Sequence, residues 1–182
     1  MTFTRFAAFV GALTVALFAV LASPLLGQTV DPLAPLPPLY AKYLPTVPGA
    51  DNPLVTQDNI KSNICKPNWT KTVRPPTSYT NKLKRTLMLK LHLPGKASDY
   101  ELDHETPIEV GGDPGYALGP DGLPLNLWMM PYAEPYGART KDKLETLEKR
   151  LVCNGTIDLA TARHELQFDW IEAYTARIGP LP

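Results

Sequence analysis

Seven of the 23 residues from Asp31 to Pro53 are proline, at positions 32, 35, 37, 38, 45, 48 and 53, and this run limits what the chain can fold. Each proline removes a backbone donor and biases its predecessor towards extended conformations. Residues 28–53 therefore read as a linker and not as part of a core. The remainder of the chain, Leu54 to Pro182, is 129 residues, close to the commonest size for one domain with one core.

Ahead of the linker, Arg5 precedes an apolar run from Phe6 to Ala22, broken only by Gly11 and Thr14, and then Ser23-Pro24. Residues 1–27 read as an export signal, with Val20 and Ala22, or Gly27, meeting the small-residue requirement before a cut. The run of 17 residues is at the short limit for a spanning helix, so an uncleaved anchor is the alternative, and only then is the membrane a partner. The expected location is the periplasm or the medium. In an oxidising compartment Cys65 and Cys153 most simply form a disulfide. Closing a loop of roughly 90 residues lowers unfolded-chain entropy by about 4.5 kcal/mol in the ideal loop picture, an upper figure. Two free thiols or a zinc pair are the competing readings, and the zinc pair lacks CxxC spacing.

Lys+Arg and Asp+Glu are equal at 18 each, but they are sorted along the chain. From Asn59 to Ser98 there are nine basic residues and no acid; from Asp99 to Glu134 there are eight acids and no base. Such an order suits a polyanion-binding surface beside a cation site, or two elements that pair with each other.

The pattern predicts an α+β fold: a small β-hairpin followed by a helix, embedded among several further helices. Thr56 to Cys65 has helical spacing and Pro67 stops it. Thr70 to Pro76 reads as extended, and Ser78 caps a helix to about Leu91 that buries Leu83, Leu87 and Leu91 and carries Lys82, Lys84 and Arg85 elsewhere on its circumference. Tyr100 to Val110 reads as a strand turned by Gly111-Gly112, with a Gly/Pro-rich loop from Pro114 to Pro124 before Leu125-Asn-Leu-Trp. Gly137 or Ala138 to Val152 is strongly helical and ends at Asn154-Gly155; Asp158 caps a last helix to about Ile178.

The informative stretch is Tyr100-Glu-Leu-Asp-His-Glu-Thr-Pro-Ile-Glu-Val-Gly-Gly, then Asn126-Leu-Trp, then Ala138-Arg-Thr-Lys-Asp-Lys-Leu-Glu. In order and spacing it resembles the HNH endonucleases, whose ββα-metal motif is a hairpin followed by a helix. The run from Thr56 to Tyr174, with its Cys-Lys-Pro-Asn-Trp-Thr-Lys-Thr-Val-Arg-Pro-Pro stretch, is similar to a group of exported bacterial proteins described as HNH-endonuclease-like. The resemblance implies a metal-dependent nuclease hydrolysing phosphodiester bonds in DNA, ahead of RNA, with residues 54–182 as the nuclease domain. It also implies His104 as general base, Asp103 as a metal ligand and Asn126 as the residue accepting the imidazole's other N–H. A water must lose a proton near neutral pH and a metal must take up charge, which a neutral imidazole and a carboxylate-held ion supply. Mg²⁺ suits so few protein ligands, with Mn²⁺ and Zn²⁺ as alternatives.

Two features depart from the family pattern. Neighbouring strand residues face opposite ways, so Asp103 and His104 serve one site only at a bend or strand end. The helix from Gly137 to Val152 lacks the His or Asn that HNH enzymes place there as a further ligand, leaving Asp142 or Glu145 to substitute. Arg139, Lys141, Lys82, Lys84 and Arg85 are the candidate phosphate contacts. The rival reading is a non-catalytic exported envelope or nucleic-acid-binding module with a degenerate motif. A zinc hydrolase of another bond suffers from only three histidines, of which His92 and His164 have no partner at ligand spacing. The sequence implies no stable protein partner.

Overall fold

A computed structural model describes residues 43–182; the stretch read as an export signal and the expected linker up to residue 42 lie outside the described residues. The fold is mixed α+β, a two-stranded antiparallel hairpin among several helices, with one disulfide. The helices are α1 (Trp69–Val73), α2 (Thr77–Lys90), α3 (Ala138–Asn154), α4 (Leu159–Phe168) and α5 (Trp170–Arg177). The strands are β1 (Tyr100–His104) and β2 (Leu127–Pro131), in register Tyr100 with Pro131 through His104 with Leu127.

Alternation along the hairpin builds two unlike faces. Leu102, His104 and Leu127 face a cleft against α2. Trp128 and Met130 point the other way, into a core completed by Leu144 and Val152 of α3, Leu166 of α4 and Trp170 of α5. Asp103 stands opposite Trp128, on this second face. The long β1–β2 connection is held by a corner in which only glycine fits, since a Cβ on Gly112 would lie 1.8 Å from the Thr106 carbonyl oxygen.

Several elements end elsewhere than their sequence suggests. Strand pairing stops at His104, with one further bond from Glu105 N–H to the Asn126 carbonyl. Pro107 then has no N–H to give, and Ile108–Val110 forms a 3-10 turn. Gln57–Ser62 is likewise a 3-10 turn, and Trp69–Val73, expected to be extended, is a short helix. Helix α2 begins at Thr77 with Pro76, not Ser78, at its N-cap. Of its three expected core leucines only Leu87 is buried, and Leu91 is 43% exposed. Asp158 caps α4 by accepting from Thr161 N–H, but the expected single last helix breaks at Asp169 into α4 and α5.

The end of the proline-rich stretch packs on the domain. Tyr43 is in the core, Asp51 bridges Gly112, and Asp51 pairs with Arg163 at 3.1 Å. Prolines removed donors from this segment, yet Asn52 N–H still bonds the Gly111 carbonyl. The folded unit therefore includes Tyr43–Pro53, ahead of the boundary that composition suggests. Cys65 and Cys153 form the disulfide, with Cα atoms 5.5 Å apart across a sequence separation of 88.

Candidate functional site

The cleft between α2 and the hairpin has a volume of about 290 Å³. Thr77, Thr80, Asn81 and Lys84 line one wall, Leu102, His104 and Leu127 the other, and Arg74 stands at the edge. The four α2 residues are at i, i+3, i+4 and i+7, one polar stripe of the helix. Lys84 Nζ donates to the Tyr100 carbonyl, which fixes the helix against β1. Burial lowers the Lys84 pKa and Glu101 partly offsets this.

His104 is the titratable centre of this cleft. Burial pushes its pKa down to about 4; Asp103 opposes that shift, while Arg74 adds to it. At neutral pH the imidazole is therefore uncharged, the state in which a histidine accepts a proton. Its Nε2 lies 3.4 Å from the Pro114 carbonyl oxygen.

Asp103, one residue earlier, belongs to a different environment. Its Oδ2 accepts from Lys141 Nζ at 2.9 Å, and the same ammonium donates to Glu145 Oε1 at 2.6 Å and to the His104 carbonyl at 2.9 Å. Burial opposes the Lys141 charge, but Asp103 and Glu145 outweigh it and hold the pKa above the usual lysine range. Burial raises Glu145 against the pull of Lys141, and pushes Glu105 up to about 8. Glu101 is pushed up to about 7 by burial, then by Asp142 and Asp103. Asp142 itself is half-buried and raised by burial and by Asp103.

The structure thus separates residues that the motif reading joins. Asp103 and His104 lie on opposite faces of a regular strand and do not converge on one point. Asn126 does not touch His104. Its Oδ1 accepts from Ala50 N–H at 3.2 Å and Thr106 N–H at 2.8 Å, and its Nδ2 donates to the carbonyls of Thr106 and Asp113. It pins the corner of the β1–β2 connection, and the histidine ring nitrogen faces Pro114 instead. Asn126→Ala should therefore act on stability. The buried Thr106 N–H and the half-buried Ala50 N–H lose their acceptor, a loss of about 2 kcal/mol, read as a lowered urea midpoint. An unchanged midpoint would contradict this role.

Lys141 is also corrected: at 1% exposure and bonded to two carboxylates and the His104 carbonyl, it has no donor left for a phosphate. Of the three candidate phosphate contacts on α2 only Lys84 lines the cleft, because Lys82 and Arg85 stand off the Thr77–Lys84 stripe, exposed. Arg139 is exposed and lies over the Tyr132 ring at 5.2 Å, away from the cleft lining. Sequence reasoning did not single out Arg74, and it named Lys141 and Glu145 without joining them as a pair. Arg74 was legible only as one of nine bases, and the Lys141–Glu145 pair was signalled by its i,i+4 spacing.

The divalent ion that the resemblance implies can be tested against these donors. Among the described residues no group of three His, Cys, Asp or Glu side chains is arranged to hold a metal. Asp103 and Glu145 already share the Lys141 ammonium. The donor set does not fit the ion.

The sorted charge blocks make few bonds with each other. Arg74 lies 4.0 Å from Glu109 and Lys90 lies 3.4 Å from Asp121, and in each pair the basic partner is well exposed. In comparisons with known proteins, no family model, curated protein or solved structure matches the chain.

Proposed function

We propose that this protein is an exported nuclease that hydrolyses phosphodiester bonds, in DNA ahead of RNA, with His104 as general base. The observation that carries this reading is the neutral imidazole on the wall of a cleft that also presents Arg74 and Lys84. A phosphodiester is an anion whose hydrolysis needs a proton acceptor beside the attacking oxygen and positive charge beside the phosphate, and these three side chains supply both. Thr77, Thr80 and Asn81 add hydrogen-bonding groups that orient the bound backbone. The disulfide supports action in an oxidising compartment, the periplasm or the medium. The metal-dependent form of the reaction stays tied to the resemblance, and no step here is routed through an ion.

Plasmid digestion tests the proposal, in EDTA and with Mg²⁺, Mn²⁺ and Zn²⁺ in separate arms. Cleavage that His104→Ala removes upholds it. Cleavage confined to the metal arms would restore the ion to the reaction and require Lys141 to release Asp103. No cleavage in any arm, with DNA still bound, would favour the second reading, a nucleic-acid-binding module without turnover. The back-to-back placement of Asp103 and His104 favours that second reading.

Salt titration checks the surface. Arg74→Gln and Lys84→Gln should each flatten the log–log dependence of duplex binding on salt by roughly 0.9. A Lys82→Gln/Arg85→Gln variant should change the slope less. The reverse ranking would move the nucleic-acid surface off the cleft.

A further inference from the structure

We propose that the Lys141 ammonium is the resident cation of a three-oxygen cage between β1 and α3, so that the wild-type cage takes no divalent metal and shortening Lys141 turns it into a metal site. An ammonium has three donors, and here each has one acceptor: Asp103 Oδ2 and the His104 carbonyl, both at 2.9 Å, and Glu145 Oε1 at 2.6 Å. Two carboxylate oxygens and a backbone carbonyl are also the ligand types a hard divalent cation selects. The Lys141 side chain is 2% exposed, so the cation of the cage is supplied from within the fold.

Charge arithmetic within the cage points the same way. Two carboxyl groups face one ammonium; remove the ammonium and both are left without a cation, a vacancy that one divalent ion can fill. A third buried carboxyl group lies in the same stretch of chain. Glu105 is 3% exposed, its Oε2 has no hydrogen-bond partner, and it interacts with both Lys141 and Asp103. Truncation at Lys141 also vacates the volume of a long side chain, which gives room for an ion with the waters Mg²⁺ and Mn²⁺ retain. The cage thus differs from an ordinary buried ion pair in what replaces its cation.

Mn²⁺ alone is the probe, with free Mn²⁺ read by electron paramagnetic resonance and folding by thermal melting of the EDTA-dialysed full chain. Wild type should melt alike in EDTA and in Mn²⁺ and leave the ion free. Lys141→Ala should bind one Mn²⁺ at least roughly tenfold more tightly than wild type and melt higher with the ion than without it. Adding Glu145→Gln to that variant should abolish the gain. Tight Mn²⁺ binding by wild type that Asp103→Asn removes would overturn the proposal. So would a folded Lys141→Ala that binds no better than wild type. An Ala variant unfolded in both buffers also counts against it, because a filled cage restores the charge balance. These readouts are independent of nuclease activity.

Discussion

His104→Ala should reduce nucleic-acid cleavage by about 10²–10⁴-fold while leaving the fold intact, because deleting a general base affects the proton transfer and little else. The structure gives the imidazole little to hold together. Its one hydrogen-bond contact is to the Pro114 carbonyl at 3.4 Å, and it lines a cleft instead of the core. The melting temperature of the variant should stay near that of wild type. The pH profile supplies an independent reading. With a pKa near 4, His104 is a competent base above that pH, so the acid limb of kcat/KM should fall near pH 4 and not near the ordinary histidine value. The charges that set this limb are Asp103 on β1, Arg74 before α2 and Lys141 on α3. Arg74→Gln removes a positive neighbour and should move the limb upward. Unaltered cleavage by folded His104→Ala would remove the residue from the chemistry.

Loss of the Cys65–Cys153 bond should cost about 2–5 kcal/mol of stability. The bond joins the segment after the Gln57–Ser62 turn to the last turn of α3, two places that also meet in the core through Ile60, Ile64 and Val152. Because those apolar contacts persist without the sulfur link, the native state of a Cys65→Ala/Cys153→Ala variant should remain intact, and most of the effect should appear in the unfolded chain. Urea titration separates the two contributions. The midpoint should fall while the slope rises, since an unlinked chain exposes more surface on unfolding. A midpoint equal to that of wild type would show that the link adds nothing.

Where the sequence was legible, local chemistry and long-range packing agreed. Helix α3 carries its apolar stripe and ends at Gly155, whose φ of +81° is the left-handed conformation that Asn154-Gly155 announces. Asp158 caps as its residue type suggests, and the two cysteines pair. The misses have physical causes. The break at Asp169 was invisible because Leu166, Trp170 and Tyr174 keep helical spacing across it, and each is buried as expected. Lys141 reads on paper as a solvent-facing base; only the approach of Asp103 from a strand 38 residues earlier makes it an interior cation. Asn126 was correctly singled out but for the wrong contact, since its four partners lie in three separate segments that no local pattern brings together. The strand alternation of Asp103 and His104 was legible from the outset, and it proved the more faithful guide to the site than the motif order.

That alternation makes β1 a partition. On one side lies a buried compartment in which one ammonium is shared by two carboxyl groups; on the other lies an open groove walled by Thr77, Thr80, Asn81 and Leu102. The two sides meet at the strand backbone, where the His104 carbonyl is gripped from the buried side while its ring faces the groove, and the charges of Asp103 and Lys141 reach the ring across the strand. Groove residues such as Thr80 and Asn81 can therefore be replaced without breaking the bonds that hold the Lys141 ammonium. Ligand preference and structural integrity become separately adjustable properties of a single five-residue strand.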